Sequence, residues 1–289
     1  MFATMTANEL YRHIISHLES IYPRPEASQI CSILFENKAG IALKDLIKEP
    51  ALTLDETTVL HLKDSLEALL RHTPIQYVTG EAWFYKMKLV VSPAVLIPRP
   101  ETEELADNII RYLKGNPAAS LLDIGTGSGC IAIAVKRNSP GTSVTAIDLS
   151  EEALAIAKQN AGFQEAMISF AKADFLDENT WDTFPTFDVI VSNPPYIPLE
   201  EKTLLDKQVT AFEPHLALFV DNDRPLIFYE QIALFGQKHL NPNGRIFLET
   251  HEHYAEAVAA LFSNEYYSPE IVLDINGKQR MLVVTYHHR

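Results

Sequence analysis

Four consecutive residues carry the most specific chemical suggestion in the chain: Asn193, Pro194, Pro195 and Tyr196, directly after the apolar run Phe187 to Ser192. Two prolines fix the backbone and remove its amide donors, so the carbonyl oxygens remain acceptors beside the Asn193 side-chain oxygen. A planar NH2 group donates two hydrogen bonds. Asn193 and the Pro194 carbonyl can hold both protons while Tyr196 stacks on the plane that carries them. Such a pocket suits methyl transfer to an amide or amino nitrogen. An amide nitrogen is a weak nucleophile because its lone pair is delocalised into the carbonyl. Two acceptors raise its electron density and orient it, so positioning and electrostatics supply the acceleration. No strong general base is needed, because the proton can leave after transfer. The alternative, a turn that only ends a strand, loses ground to the residues upstream.

Those residues are Gly125, Thr126, Gly127, Ser128 and Gly129, a glycine-rich turn after the run Leu121 to Ile124. Without Cβ atoms the backbone can approach a ligand, and a helix beginning near Cys130 offers free amide donors at its start. Some twenty residues on, Asp148 ends the next strand, where a carboxylate can accept both hydroxyls of a ribose. These features suit NAD or S-adenosylmethionine. The spacing tilts the choice to the latter, because the glycines run G-x-G-x-G and the third falls one residue early for the dinucleotide fingerprint. Asp174 and Phe175 follow the third strand, where a polar group can meet an adenine edge and a ring its face. Phe175 read alone suits ordinary core equally well.

The elements that must position these residues can be drawn from periodicity. Thr6 and Glu9 have capping-box spacing, and Leu10, Ile14, Ile15, Leu18 and Ile21 make an apolar face. Further short stripes, Ile30, Ile33 and Leu34, then Leu62, Leu66, Leu69 and Leu70, predict a small helical domain over residues 1–73. Residues 74–100, aromatic and β-branched from Trp83 to Val91 and punctuated by Pro93, Pro98 and Pro100, predict a β-hairpin linker. Residues 101–289 open with a helix from about Glu101 to Lys114 and alternate strands with helices, the pattern of a mostly parallel sheet covered on both faces. Seven strands are expected, at residues 120–124, 143–147, 168–173, 187–192, 244–249, 271–275 and 280–286. Asn276 and Gly277 favour a tight hairpin between the last two, so the sheet should end antiparallel. This α/β arrangement is the class I, Rossmann-like methyltransferase pattern. No internal repeat or low-complexity segment appears.

Bulk properties narrow the partners. In 289 residues, 24 Lys plus Arg face 38 Asp plus Glu, for a net charge of −14, which repels a polyphosphate in the absence of a basic patch. No direct nucleic-acid substrate is expected. The start of the chain lacks a basic segment followed by an apolar one, and no stretch reaches the roughly 18 apolar residues of a membrane span, so no membrane partner is expected. Cys31 and Cys130 lack metal-ligand spacing and read as buried thiols suited to a reducing cytosol; a cytoplasmic protein is expected. His251, His253, His287 and His288 have no further ligands spaced near them and read as solvent-exposed side chains, so no metal is expected.

Over nearly its whole length the chain resembles the release factor glutamine N5-methyltransferases, the PrmC/HemK family. Beyond Asn193 to Tyr196, the resemblance is carried by Ile75, Gln76, Tyr77 and Gly80, by Leu96 to Glu103 (Leu-Ile-Pro-Arg-Pro-Glu-Thr-Glu), and by Glu213, Pro214, Leu216 to Phe219, Phe228 and Tyr229. It implies methyl transfer from S-adenosylmethionine, with S-adenosylhomocysteine as product, to the glutamine of a Gly-Gly-Gln motif in class 1 peptide chain release factors. It implies cofactor contacts from Gly125, Gly127, Gly129, Asp148 and Phe175, with Asn193, Pro194, Pro195 and Tyr196 on the glutamine. It also implies that the N-terminal helical domain docks the release factor and that Arg99 and Glu101 lie near the active site, where substrate contact, an ion pair and a helix start are all open. One departure follows Phe219: Val220 to Pro225 replaces the family's glycine-rich run with a stiffer, more charged loop. An N6-adenine or N2-guanine nucleic-acid amino methyltransferase remains the alternative, since those bases present the same planar NH2.

Overall fold

Thr6 opens the first helix as its spacing predicts, its Oγ1 accepting from the Glu9 amide while Glu9 Oε2 accepts from the Thr6 amide. In the computed structural model, which describes residues 5–287, this helix (α1, Ala7–Leu18) is followed by α2 (Arg24–Ala39), α3 (Leu43–Lys48), α4 (Glu56–Leu70) and α5 (Ile75–Thr79). Leu10, Ile14, Leu18, Leu34, Phe35, Leu62, Leu66 and Leu69 are fully or nearly buried in one core. The chain up to Glu81 forms one compact unit, and Lys207–Phe212, a helix far along the sequence, belongs to it. Gln208 within that helix donates its Nε2 to Tyr22 OH at 2.7 Å.

The second unit comprises Ala82–Asp206 and the chain from Glu213 onward. The hairpin expected across 74–100 is shorter than predicted. Pro74 instead starts α5, its carbonyl accepting from the Tyr77 and Val78 amides, and the paired strands are β1 (Glu81–Phe84) and β2 (Met87–Val90). Tyr85 and Lys86 both adopt positive φ at the turn, as the twist of a two-residue hairpin demands. Helix α6 (Pro100–Leu113) anchors that turn: Glu103 accepts from the Tyr85 amide and Asp107 from its hydroxyl.

The seven expected strands all form: β3 (Ser120–Ile124), β4 (Ser143–Asp148), β5 (Ser169–Lys172), β6 (Phe187–Ser192) and, after the two-residue strands β7 (Ile197–Pro198) and β8 (Phe219–Val220), β9 (Leu240–Glu249), β10 (Tyr267–Leu273) and β11 (Gln279–Tyr286). Their order is β10-β11-β9-β6-β3-β4-β5, parallel except where β11 runs against both β9 and β10. Helices α7 (Cys130–Asn138), α8 (Glu151–Phe163), α9 (Lys207–Phe212), α10 (His215–Leu218), α11 (Ile227–His239) and α12 (Ala255–Leu261) lie between or beside these strands, with short 3-10 turns at Glu178–Thr183 and Leu199–Leu204. Side chains alternate between two cores. Leu121, Val189, Val191 and Phe247 pack with α6 and α7, whereas Leu122, Ile190, Ile246 and Leu248 pack with α11 and α12. Burial on both faces explains why these strands read as continuous apolar runs.

One polar side chain joins the hairpin to the sheet's glycine loop. Asn160 on α8 is 1 % exposed; its Nδ2 donates to Val90 O and Ser128 O, and its Oδ1 accepts from the Val90 amide at 2.7 Å. Replacing it with alanine strands the buried Ser128 carbonyl and the part-buried Val90 amide and carbonyl. Asn160→Ala is therefore expected to destabilise the second unit by about 2–4 kcal/mol, read as a lower midpoint in denaturant unfolding. An unchanged midpoint contradicts the linking role.

Candidate active site

The register of the sheet sets the site. Ile124 is paired with Ile147 on β4 and with Ser192 on β6, and Ser192 is paired with Leu248 on β9. The next residue of each strand, Asp148, Gly125, Asn193 and Glu249, therefore falls in one row at the carboxyl edge. Ser192 Oγ donates to Ile124 O at 2.8 Å and ties the middle of the row together.

On one side of the row, the loop after β3 is pinned to its neighbour. The Gly125 and Thr126 amides both donate to Ile147 O at 2.9 Å. Thr126, buried, donates its hydroxyl to Asp123 Oδ2, and the Gly127 amide donates to Asp148 Oδ2 at 2.8 Å. Asp148 Oδ1 accepts from the Ser150 amide. A carboxylate has lone pairs left after two such bonds, so Asp148 retains acceptor capacity for hydroxyl groups. A Cβ built at Gly125 or Gly127 would meet no atom within 4 Å: the loop borders open space. Gly129 is constrained differently, since a Cβ there would approach Ile133 and Ala157 to 3.0 and 3.2 Å, where α7 and α8 pack. Ser128 is buried and its carbonyl is held by Asn160.

Asp123 lies beneath this loop with Oδ1 buried and, among the described residues, without a hydrogen-bond partner, and burial pushes its carboxyl up to about 7 against the pull of the Thr126 hydroxyl. An unpartnered buried acceptor, an open glycine cradle, a helix start without a side-chain cap and a half-satisfied Asp148 together fit S-adenosylmethionine, whose amino-acid end needs both donors and acceptors and whose ribose offers two hydroxyls. Asp174 is exposed and its Oδ1 accepts from the Leu176 amide. Phe175 is 5 % exposed, stacked on Trp181 at 5.6 Å and edge-on to Phe235. Its ring is thus built into the aromatic core, and Trp181 adds a bond from its Nε1 to Phe175 O.

On the other side of the row, Pro194 is buried and Asn193, Pro195 and Tyr196 are partly exposed. Asn193 Nδ2 donates to Thr102 Oγ1 at 3.2 Å, Thr102 Oγ1 donates to Glu249 Oε2 at 2.7 Å, and Tyr196 OH donates to Glu249 Oε1 at 3.4 Å. Burial, with the nearby Glu249 charge, holds the Tyr196 hydroxyl above its ordinary range. Burial also pushes Glu249 up to about 7; Glu101 adds to the rise, while Thr102, Arg280 and Tyr196 oppose it. Glu249 escapes a reading of the sequence by motif, and Thr102 shows there only as one residue of the Leu96 to Glu103 segment. The signal that finds Glu249 is a carboxyl directly after the apolar run Ile246 to Leu248, which the register then sets beside Asn193.

Arg99 and Glu101 serve the start of α6. Arg99 is the N-cap residue and donates its Nη2 to Glu213 Oε1 at 2.6 Å; Glu101 sits in the first turn, where the helix dipole favours a negative charge. Glu213 is 4 % exposed, and burial raises its carboxyl while Arg99 opposes the rise. The segment after Tyr196 is stitched to this region: β7 pairs in parallel with β8, and Asn222 Oδ1 accepts from the Glu200 amide. The charged loop after Phe219 thus holds the segment that leaves the Asn-Pro-Pro-Tyr turn. One expectation needs correction. His251 is half-buried rather than solvent-exposed, because Tyr196 lies edge-on to its ring at 5.9 Å, and burial lowers its basicity. His253 and His287 are exposed, and His288 lies outside the described residues. Among the described residues, no three His, Cys, Asp or Glu side chains are grouped to hold a metal, and no helix is long and apolar enough to cross a membrane.

Comparison with known proteins adds independent findings. Residues 103–211 match the model of the methyltransferase small domain. The chain is 39% identical to the release factor glutamine methyltransferase of Bacteroides thetaiotaomicron over 278 residues, covering 95% of this chain and 98% of that protein. It is 38% identical to the one from Streptococcus pneumoniae over 271 residues, covering 92% and 94%. A solved protein-(glutamine-N5) methyltransferase (release factor-specific) from Alicyclobacillus acidocaldarius is 32% identical, with 68% of this chain and 99% of that chain covered and a TM-score of 0.43.

The two buried carboxyls make stability depend on pH. Asp123 and Glu249 have folded-state values of about 7, above their ordinary 3.8 and 4.5, so the folded chain binds their protons more tightly than the unfolded chain. Their stabilising contribution is full below the ordinary values and is lost as pH rises through about 7. The melting temperature is expected to fall between about pH 5 and about pH 8, and to fall less for Asp123→Asn, which keeps an acceptor for Thr126 but cannot ionise. Calorimetry over that range checks the sign; a variant that follows the wild-type slope contradicts it.

Proposed function

The chain belongs to the release factor glutamine methyltransferase family, and from that premise we propose which of its residues perform the reaction. The protein transfers a methyl group from S-adenosylmethionine to the side-chain amide of a release factor glutamine. We propose that the target is N5 of the glutamine in a Gly-Gly-Gln motif of class 1 release factors. The observation that supports the assignment most is the row at the carboxyl edge, where the glycine loop, Asp148 and Asn193 come side by side.

S-adenosylmethionine supplies a methyl group made electrophilic by the sulfonium. Gly125, Thr126, Gly127, Ser128 and Gly129 would hold its amino-acid end, with Asp123 as the buried acceptor. Asp148 would accept from the ribose hydroxyls, and Asp174 and Phe175 would border the adenine. Asn193 Oδ1 and the Pro194 carbonyl accept the two amide protons of glutamine, which fixes the nitrogen's orientation and raises its electron density. Pro195 keeps this backbone rigid and free of a competing donor. Tyr196 offers its ring face to the amide plane while Glu249 anchors its hydroxyl. Arg99 acts through its ion pair with Glu213, and Glu101 through the start of α6, so that both position the segment carrying Thr102.

The N-terminal helical unit is assigned the docking of the release factor, and the cytoplasm is where the enzyme would meet it. Methylation of an adenine or guanine amino group is the less favoured reading, because a net charge of −14 repels nucleic acid and the relatives carry release factor names.

Two outcomes test these assignments. With methyl-labelled cofactor, a release factor should take up label on its glutamine, while DNA and RNA should take up none; label on nucleic acid and not on the glutamine defeats the substrate assignment. Asn193→Ala should lose roughly 100-fold or more in turnover, in the range seen when an oriented polar partner of the reacting group is removed, with cofactor affinity retained. Turnover equal to wild type rules out Asn193 as the acceptor.

A further inference from the structure

Behind Asn193 runs a chain of hydrogen bonds whose direction is set once Glu249 is ionised. Glu249 is 2 % exposed at the end of β9, and its backbone is fixed by Tyr229, whose hydroxyl donates to Glu249 O at 2.9 Å. An ionised carboxylate has no proton to give. Thr102, also 2 % exposed, must therefore direct its one proton to Glu249 Oε2, 2.7 Å away. The Thr102 oxygen is then left as an acceptor toward Asn193, 3.2 Å away, and only the NH2 end of a carboxamide can satisfy it. Asn193 Oδ1 is left facing the other way, with no hydrogen-bond donor among the described residues.

The two ends of a carboxamide have nearly the same shape and opposite hydrogen-bonding roles, so packing alone does not choose between them. We infer that Glu249, acting through Thr102, is a positioning residue that keeps the carboxamide oxygen of Asn193 turned toward the substrate nitrogen. The inference rests on the assignment of Asn193 as acceptor for the glutamine amide. With the polarity reversed, an NH2 group would meet the substrate NH2, hydrogen against hydrogen, and the amide would lose one of its two acceptors. The charged and titratable groups facing Glu249 include Glu101, Arg280, Tyr196, Tyr229 and Cys130; burial first, then these neighbours and Thr102, set its carboxyl at about 7, so it is ionised at pH 8.

Glu249→Gln separates direction from shape. Glutamine fills the same space and keeps a bond to Thr102, but its NH2 can donate to the Thr102 oxygen, which frees the Thr102 proton for Asn193 Oδ1 and reverses the chain. At pH 8, with release factor and labelled cofactor, kcat is expected to fall at least about 10-fold, as for loss of an oriented partner, while cofactor affinity stays near wild type and the melting temperature does not fall, since a buried carboxylate is removed. Thr102→Val should lose kcat similarly, whereas Thr102→Ser, which keeps the hydroxyl, should restore it. Asn193→Asp, an acceptor at both ends, should be more active in the Glu249→Gln background, where Thr102 can donate to it, than on its own.

A Glu249→Gln enzyme with wild-type kcat overturns the inference, as does a Thr102→Val enzyme as active as Thr102→Ser; the Thr102 pair decides should Glu249→Gln not fold. Asn193→Ala distinguishes the two levels. If it keeps turnover, the acceptor assignment itself fails. If it loses turnover while Glu249→Gln and Thr102→Val do not, only the positioning role fails.

Discussion

Everything at this site depends on the parallel register of β4, β3, β6 and β9. Because Ile147, Ile124, Ser192 and Leu248 are paired across four strands, the residues one step further on share an edge. The four strands lead there into three chemical types: carboxyl groups at Asp148 and Glu249, a glycine turn at Gly125 and a carboxamide at Asn193. A slip of one residue in any pairing would turn that strand's apolar set to the opposite face and carry its terminal residue out of the row. The two cores that clamp the sheet, one under α6 and α7 and the other under α11 and α12, therefore fix the chemistry as firmly as they fix the fold.

The same row concentrates polarity where the structure is least hydrated. Asp123, Thr102 and Glu249 are each at most 2 % exposed, and a buried polar group is costly unless it is bonded. Most of that cost is met by neighbours: Thr126 on Asp123, and Thr102 and Tyr196 on Glu249. What remains unmet is informative. Among the described residues Asp123 Oδ1 has no partner and Asn193 Oδ1 has no donor, and these acceptors flank the two halves of the proposed reaction, cofactor and amide.

How far the sequence reveals this depends on the range of the interaction. The capping box at Thr6, the glycine turn after Ile124 and the rigid turn at Asn193 are local and follow from residues a few positions apart. The central strands β3 and β6 follow from apolar runs that two-sided burial produces. Long-range pairings do not show in that way: Thr102 meets Asn193 across 91 residues and Glu249 across 147. Glu249 belongs to no motif, the Leu96 to Glu103 segment does not disclose what Thr102 touches, and only the packing of α6 on the ordered strands brings them together. The Lys207–Phe212 helix joins the N-terminal unit for a similar reason, since Gln208 meets Tyr22 across 186 residues of chain. Phe175 shows the opposite difficulty. Its place after the third strand is visible in the sequence, but its stacking on Trp181 is a property of the folded core.

The central claim is that Asn193 and Pro194 hold an amide nitrogen between them as acceptors. A crystal structure of the protein with S-adenosylhomocysteine and a glutamine-bearing release factor peptide tests it most directly. The account predicts the glutamine amide nitrogen within hydrogen-bond distance of both Asn193 Oδ1 and the Pro194 carbonyl, with the Tyr196 ring against the amide plane. A glutamine amide bound away from Asn193, or turned so that its oxygen faces that side chain, would contradict it.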